Sequence, residues 1–317
     1  MIRYVSNRLL LAIPTLIGVA VITFFVLRVL PGDIVEAKLR GDGAQVTVDV
    51  IERERERLGL DKPRSVQFLD WIYGLARFDL GKSMWTGRPV IEEVAARFEI
   101  TFQIAIMATL IGCIIAIPLG TIAALYRDTW IDTLVRLFAV AGLAVPSFWL
   151  GMLIIMGLLM TVGTLPPLSF TPIYKDPLAN LWQLIWPAVA VGYRFSAVLT
   201  RIVRSSLLEV LGEDYIRTAR AKGLLESVIV RRHALRNALL PAVTVIGLEF
   251  AFLLGGLVVT EQVFGLNGLG KLFMQSVARH DFTLIQGMVM LFATFYIITN
   301  LVIDLIYAAL DPRVRYS

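Results

Sequence analysis

Residues 265–271 read Gly-Leu-Asn-Gly-Leu-Gly-Lys, the G-x-x-x-x-G-K spacing in which backbone N–H groups and a lysine cradle phosphates. The rest of that device is missing. Leu272 stands where a Ser or Thr should hold magnesium, and no soluble strand leads into the glycines, so no nucleotide site is assigned here. Two histidines, His233 and His280, fall in different loops, and neither has the companions of a zinc site or a His-based triad. The single cysteine, Cys113, lies in an apolar run, where a buried inert thiol is expected rather than a nucleophile. The residue types thus predict no catalytic residue, no metal ligand, no cofactor of the chain's own and no enzyme activity.

One carboxylate is placed unusually. Glu249 lies ten residues beyond Leu239, where an apolar run begins. At about 1.5 Å per residue that is roughly 15 Å, near the middle of a bilayer core roughly 30 Å thick. A carboxylate there must face a cavity or a partner. Glu249 is therefore a candidate for lining a pathway or joining helices, the competing reading being a protonated or hydrogen-bonded glutamate packed between helices. Asp304, nearer the end of its run, reads as a structural pairing group.

The elements that must position these residues follow from composition. Of 317 residues, 57% are hydrophobic and only 17% charged, too apolar for an ordinary soluble domain. Six runs approach or exceed the roughly 20 residues that span a bilayer: Leu9 to Leu30, Thr101 to Leu125, Leu134 to Val162, Leu181 to Leu199, Leu239 to Val259 and Leu284 to Leu310. The expected fold is an all-α integral membrane protein of six transmembrane helices. The first run is too long for the core of a signal peptide and no small-residue cleavage site follows it, since the chain continues Leu30-Pro31-Gly32-Asp33. Prolines at 14, 118, 146, 187 and 241 punctuate the runs and predict bent helices.

Basic residues sort by side. Arg3, Arg8, Arg127, Arg136, Arg313 and Arg315 fall in short loops with eight more between Arg201 and Arg236, against Lys175, Lys271 and Arg279 on the other side. The positive-inside rule then places both termini in the cytoplasm. It also explains the net charge of +5 without nucleic acid. Residues 1–30 form the cytoplasmic N-terminus and first helix, 31–100 a soluble extracytoplasmic insert, and 101–317 a five-helix core with a cytoplasmic loop at 201–238. In the insert, Thr47 to Leu58 and Ser65 to Phe78 read as helices, the second with Phe68, Trp71, Tyr73 and Phe78 suited to a membrane interface or a partner. In the cytoplasmic loop, Tyr215 to Lys222 and Leu224 to Asn237 read as two helices with Gly223 as the cap between them, and the small Ala219 and Ala221 would let another surface approach. A plain solvated basic loop is the alternative.

Across the whole chain run Leu30-Pro31-Gly32-Asp33, Leu58-Gly59-Leu60-Asp61, Asp79-Leu80-Gly81 through Gly87-Arg88-Pro89-Val90, Pro118-Leu119-Gly120, Pro146-Ser147-Phe148-Trp149-Leu150-Gly151, Asp214-Tyr215, Ala219-Arg220-Ala221-Lys222-Gly223, His233 to Pro241, Gly268-Leu269-Gly270, Gln286-Gly287 and Asp311-Pro312-Arg313. In this order they resemble the permease subunits of ATP-binding-cassette importers, in the dipeptide, oligopeptide, nickel and glutathione branch. The resemblance implies a type I importer transmembrane domain in a bacterial inner membrane, forming half of a pathway. Its implied partners are a second, homologous permease subunit, two ATPase subunits that bind ATP and magnesium, and an extracytoplasmic substrate-binding protein.

It further implies that the loop couples to the ATPases through Asp214, Tyr215, Arg217, Ala219, Arg220, Ala221, Lys222 and Gly223. Gly223 aligns with the glycine of the family's Glu-Ala-Ala, three residues, Gly pattern and Ala219 with its second alanine. Arg217 and Thr218 stand where Glu and Ala would be, and the closing Leu-Pro comes later, at Leu240-Pro241. On the opposite side the glycines 265, 268 and 270 would let residues 264–272 fold back over the pathway mouth. Phe264, Leu266 and Leu269 are the gate candidates and the insert a receptor contact. The implied cargo is dipeptides or short peptides, with glutathione, nickel chelates or another small conjugate as the alternative. An ion-coupled secondary transporter is the rival of another class, although no internal repeat supports it.

Overall fold

A computed structural model describes residues 2–29, 35, 38–39, 47–167 and 169–310. The motifs at 30–33 and 311–313, with Arg313 and Arg315, lie outside these residues. The described chain is helical, and its only strand-like pairing is an isolated antiparallel bridge between Lys82 and Pro89. The helices gather into two compact units.

The first unit takes residues 1–99, 255–258 and 267–297. It holds α1 (Ile2–Val29), α2 (Val48–Arg57), α3 (Arg64–Ala76) and the first turns of α4 (Val90–Leu125). It also holds α12 (Leu269–Ala278) and the first half of α13 (Phe282–Leu310). Its core gathers Val90 and Val94 of α4, Leu269 and Leu272 of α12, and Leu284 and Met288 of α13. Asp281 caps α13, accepting from the Leu284 backbone N–H at 3.2 Å, and it also accepts from Ser83 Oγ at 2.5 Å and Met84 N at 3.1 Å. One buried carboxylate therefore ties the 83–86 turn to the start of a long helix.

The second unit takes residues 100–254, 259–266 and 298–317. It holds the rest of α4, then α5 (Trp130–Ala144), α6 (Ser147–Thr161), α7 (Pro177–Leu211), α8 (Asp214–Ala221), α9 (Glu226–Ala238) and α10 (Leu240–Leu254). Most of the short α11 (Val258–Val263) also belongs here. The centre is α7. Asp176 caps it, accepting from Leu178 N and Ala179 N at 3.1 and 3.0 Å ahead of a first-turn proline. Phe195, Leu199 and Val203 of α7 pack on Ala116 of α4 and Ala242 of α10.

The six expected runs map onto this architecture with two changes. Ser6–Arg28 of α1, all of α4, and Phe282–Tyr307 of α13 are long and apolar enough to cross a bilayer as single helices. The run Leu134 to Val162 is not one straight helix. It breaks into α5 and α6, bent by 98°, because Pro146 lacks an N–H and holds Val145 in an extended conformation (ψ 119°). The run Leu239 to Val259 is shorter than expected: α10 stops at Leu254, before Gly255 and Gly256, and is bent 49° from α9 near Pro241. By contrast α7 is too polar to stand among the spans judged by apolarity. Four of its polar side chains, Asn180, Gln183, Ser196 and Thr200, are buried against protein, which spares them contact with lipid.

Candidate functional site

At 35 residues, α7 is roughly 50 Å long, well beyond a bilayer core of about 30 Å, and its end carries the charged loop. The loop is a folded platform. Ile216 and Ala219, three residues apart on α8, are buried with Ile229, Ala234 and Ala238 of α9, Leu207 of α7 and Ala124 of α4. At its end Lys222 is still helical and Gly223 turns left-handed at φ +78°, with the Gly223 N–H bonded to the Arg220 carbonyl at 2.9 Å. Nothing crowds a side chain at 223, so the backbone angle alone selects glycine there. Arg220 bridges the turn, donating from Nη2 and Nε to Glu226 at 2.7 and 3.2 Å. That hydrogen bond holds the guanidinium further above its ordinary range, fixing its charge. Asn237 Nδ2 donates to Tyr215 Oη at 2.8 Å, closing the far side of the platform.

The coupling candidates divide by face. Asp214, Tyr215, Arg217, Arg220, Ala221, Lys222 and Gly223 are exposed together. Ala219 is turned inward, so its small side chain brings α8 close to α4 and α7 rather than leaving room for another molecule. Sequence reasoning missed Leu224, Leu225 and Val228, which stand exposed beside the glycine turn; Leu225 is 72% exposed. Leucines following a glycine break in an otherwise charged loop were the available signal. The second helix also contains a π turn at Ile229–Ala234, which no periodicity announced.

The gate candidates fall in both units. Phe264 and Leu266 are buried in the second, where Gly265 turns at φ +68° and the Leu266 N–H reaches the Glu261 carbonyl at 2.8 Å. Glu261 is itself fully buried and accepts from Thr101 Oγ1 of α4 at 2.7 Å. Phe264 rests on Gly151, where a Cβ would lie 2.9 Å from its ring. Leu269 belongs to the core of the first unit, beside Val90 and Met288. The phosphate-loop spacing is thus a turn followed by the start of α12 at Leu269. Glu249 of α10 is ion-paired: Arg194 of α7 donates to its Oε1 at 2.7 Å.

In the insert, Phe68 and Trp71 of α3 pack on Phe24 of α1 at centroid distances of 5.1 and 6.1 Å. Gln67 accepts from Arg28 at 2.6 Å and donates to the Lys62 carbonyl at 2.8 Å. These contacts dock α3 on α1, and Asp70, Tyr73 and Phe78 are left to face outward. Among the described residues no three His, Cys, Asp or Glu converge as metal ligands.

Comparison with known proteins bears on the same chain. Residues 116–316 match the family described as binding-protein-dependent transport system inner membrane component, and residues 1–105 match its N-terminal companion. The chain is 40% identical, over the full length of both, to a protein named as a putative peptide transport system permease of Brucella abortus strain 2308. It is 42% identical over 318 residues, again covering both chains, to the glutathione transport system permease protein GsiC of Escherichia coli K12. Among solved structures, an inward-facing form of the MetNI methionine ABC transporter aligns with a TM-score of 0.56 and 19% identity, covering 69% of this chain and 96% of that one. At that identity the likeness is one of fold.

Proposed function

Since the chain belongs to the family of inner-membrane components of binding-protein-dependent transport systems, and is a multi-pass ABC transporter permease, we propose that it forms half of the pathway of an ATP-driven importer of short peptides or glutathione-like conjugates. The observation that carries this reading is the α8–Gly223–α9 platform. A rigid, amphipathic pair of short helices spends its apolar face on its own subunit and presents charges and Leu225 outward, a shape suited to seating in a groove of another protein. In the proposed assembly two ATPase subunits supply ATP and magnesium, and this chain carries no cofactor. A homologous permease encloses the other half of the pathway, and a binding protein delivers cargo to the face opposite the platform. Both termini are cytoplasmic.

ATP-driven closure of the ATPases pulls the platform, and the buried contacts of Ile216 and Ala219 transmit that movement to α4 and α7. The bends at Pro146 and near Pro241 let the helices around the pathway rock without unfolding. Phe264 and Leu266, anchored through Glu261 and Thr101, close the outer mouth. Names of full-length relatives support peptides and glutathione as the cargo class. The test is to purify the complex and measure ATP hydrolysis with a binding protein loaded in turn with Ala-Ala, longer peptides and glutathione. Stimulation by a peptide-loaded receptor is expected. Uptake driven by an ion gradient without ATPase subunits would replace this reading with a secondary transporter.

A further inference from the structure

Along α7, Arg194, Val198, Arg201 and Ser205 recur at intervals of four, three and four residues, so they form one stripe on a helix that is otherwise mostly buried. Val198, Arg201 and Ser205 of this stripe line a cavity of about 750 Å³ between α5 and α7, within the range of small-ligand pockets. Arg136, Arg201 and Arg204 supply its charge, and Val140, Leu143 and Val198 its apolar wall. One carboxylate stands against these three cations. Asp132 is fully buried, accepts from Nε and Nη2 of Arg204 at 2.7 Å each, and lies 3.6 Å from Arg136. Arg204 is thereby fixed in place, while Arg201 has no ion-pair partner among the described residues. The cavity keeps a surplus of positive charge beside an apolar surface.

We infer that this cavity receives the free carboxylate of the cargo, with Arg201 as its principal ligand and the apolar wall taking a peptide side chain. The inference rests on the proposed import of peptides and names where in this subunit they are held. Anionic lipid shares the chemistry, a phosphate replacing the carboxylate, but the stripe continues along α7 to the Arg194–Glu249 pair, inside the apolar run 181–199. Lipid tails would meet that ion pair; a water-lined route tolerates it. A guanidinium binds a carboxylate through paired N–H groups with a geometry that lysine only partly reproduces.

The test uses the whole complex with Ser205→Cys introduced beside Arg201 and Cys113→Ala removing the native thiol. Labelling by a charged methanethiosulfonate is followed in nanodiscs with and without millimolar Ala-Ala. Ala-Ala is expected to slow labelling about fivefold, alanyl-alanine amide to have no effect, and Arg201→Gln to abolish the protection while Arg201→Lys keeps part of it. Uptake of Ala-Ala by Arg201→Gln is expected to fall about tenfold, with Arg127→Gln, a surface arginine outside the cavity, as the unaffected control. Labelling indifferent to Ala-Ala, equal protection by the amide, or protection that follows only the phosphatidylglycerol content of the disc would overturn the assignment, the last in favour of a lipid site. Failure of the unmodified complex to take up Ala-Ala or glutathione would instead remove the proposed import, so the two failures are separable.

Discussion

The platform at α8 and α9 and the cavity between α5 and α7 are built from the same pair of side chains, an arginine against a carboxylate, with opposite consequences. Arg220 and Glu226 are 44% and 54% exposed; Arg204 and Asp132 are 21% and 0% exposed. An exposed pair exchanges with water and contributes up to about 1 kcal/mol, weakened further by salt. A buried carboxylate has no such exchange, and losing its partner strands a charge at about 3–5 kcal/mol. The difference teaches where each region is rigid: the platform is shaped by a backbone turn and apolar packing, the cavity by an ion clamp.

The largest expected effect is at the clamp. Arg204→Met strands the buried Asp132 with only Arg136 beside it, 3.6 Å away, and should lower the thermal midpoint and folded yield of the complex by the equivalent of about 3–5 kcal/mol; a midpoint equal to wild type would erase the contrast. Next comes the Arg194–Glu249 pair, intermediate in burial. Glu249→Gln or Arg194→Gln alone should cost about 2 kcal/mol, between the exposed and buried limits, and slow transport, and the double variant should recover much of the loss. Additive losses would show that the two act separately, and a Glu249→Gln variant transporting at the wild-type rate would exclude an essential charge at this position.

At the platform, Gly223→Ala must hold a Cβ at φ +78°, a cost of about 1–2 kcal/mol. It should leave membrane insertion intact and reduce co-purification of the ATPases, with Gly223→Asn milder because Asn tolerates that conformation. Normal ATPase recovery and transport in Gly223→Ala would count against the platform as the coupling element. The smallest effect belongs to Arg220→Ala, at most about 1 kcal/mol and vanishing in high salt. Lys222→Glu, which has no comparable pair to break, should leave stability unchanged and uncouple ATP hydrolysis from uptake.

Composition and apolar periodicity determined that the chain is an all-helical membrane protein, because the length of a bilayer-crossing helix is set by the solvent and can be counted. The ordered motifs determined its family. Gly223 was legible as a helix stop for a local reason: its backbone angle depends on little beyond its neighbours. The 98° bend was only half legible. Pro146 marked a break, but an apolar run carries no information on direction, and the angle is set by what the helices pack against. Ala219 facing inward, Phe264 resting on Gly151, and Glu249 finding Arg194 were likewise decided by tertiary structure. So was the cavity at Arg201, whose cations are separated by 65 residues or more from Arg136 on another helix. A count of basic residues reads all of them as markers of membrane side, and only folding shows which are clamped by a buried carboxylate and which face open space, because that depends on distances between helices that the sequence does not adjoin.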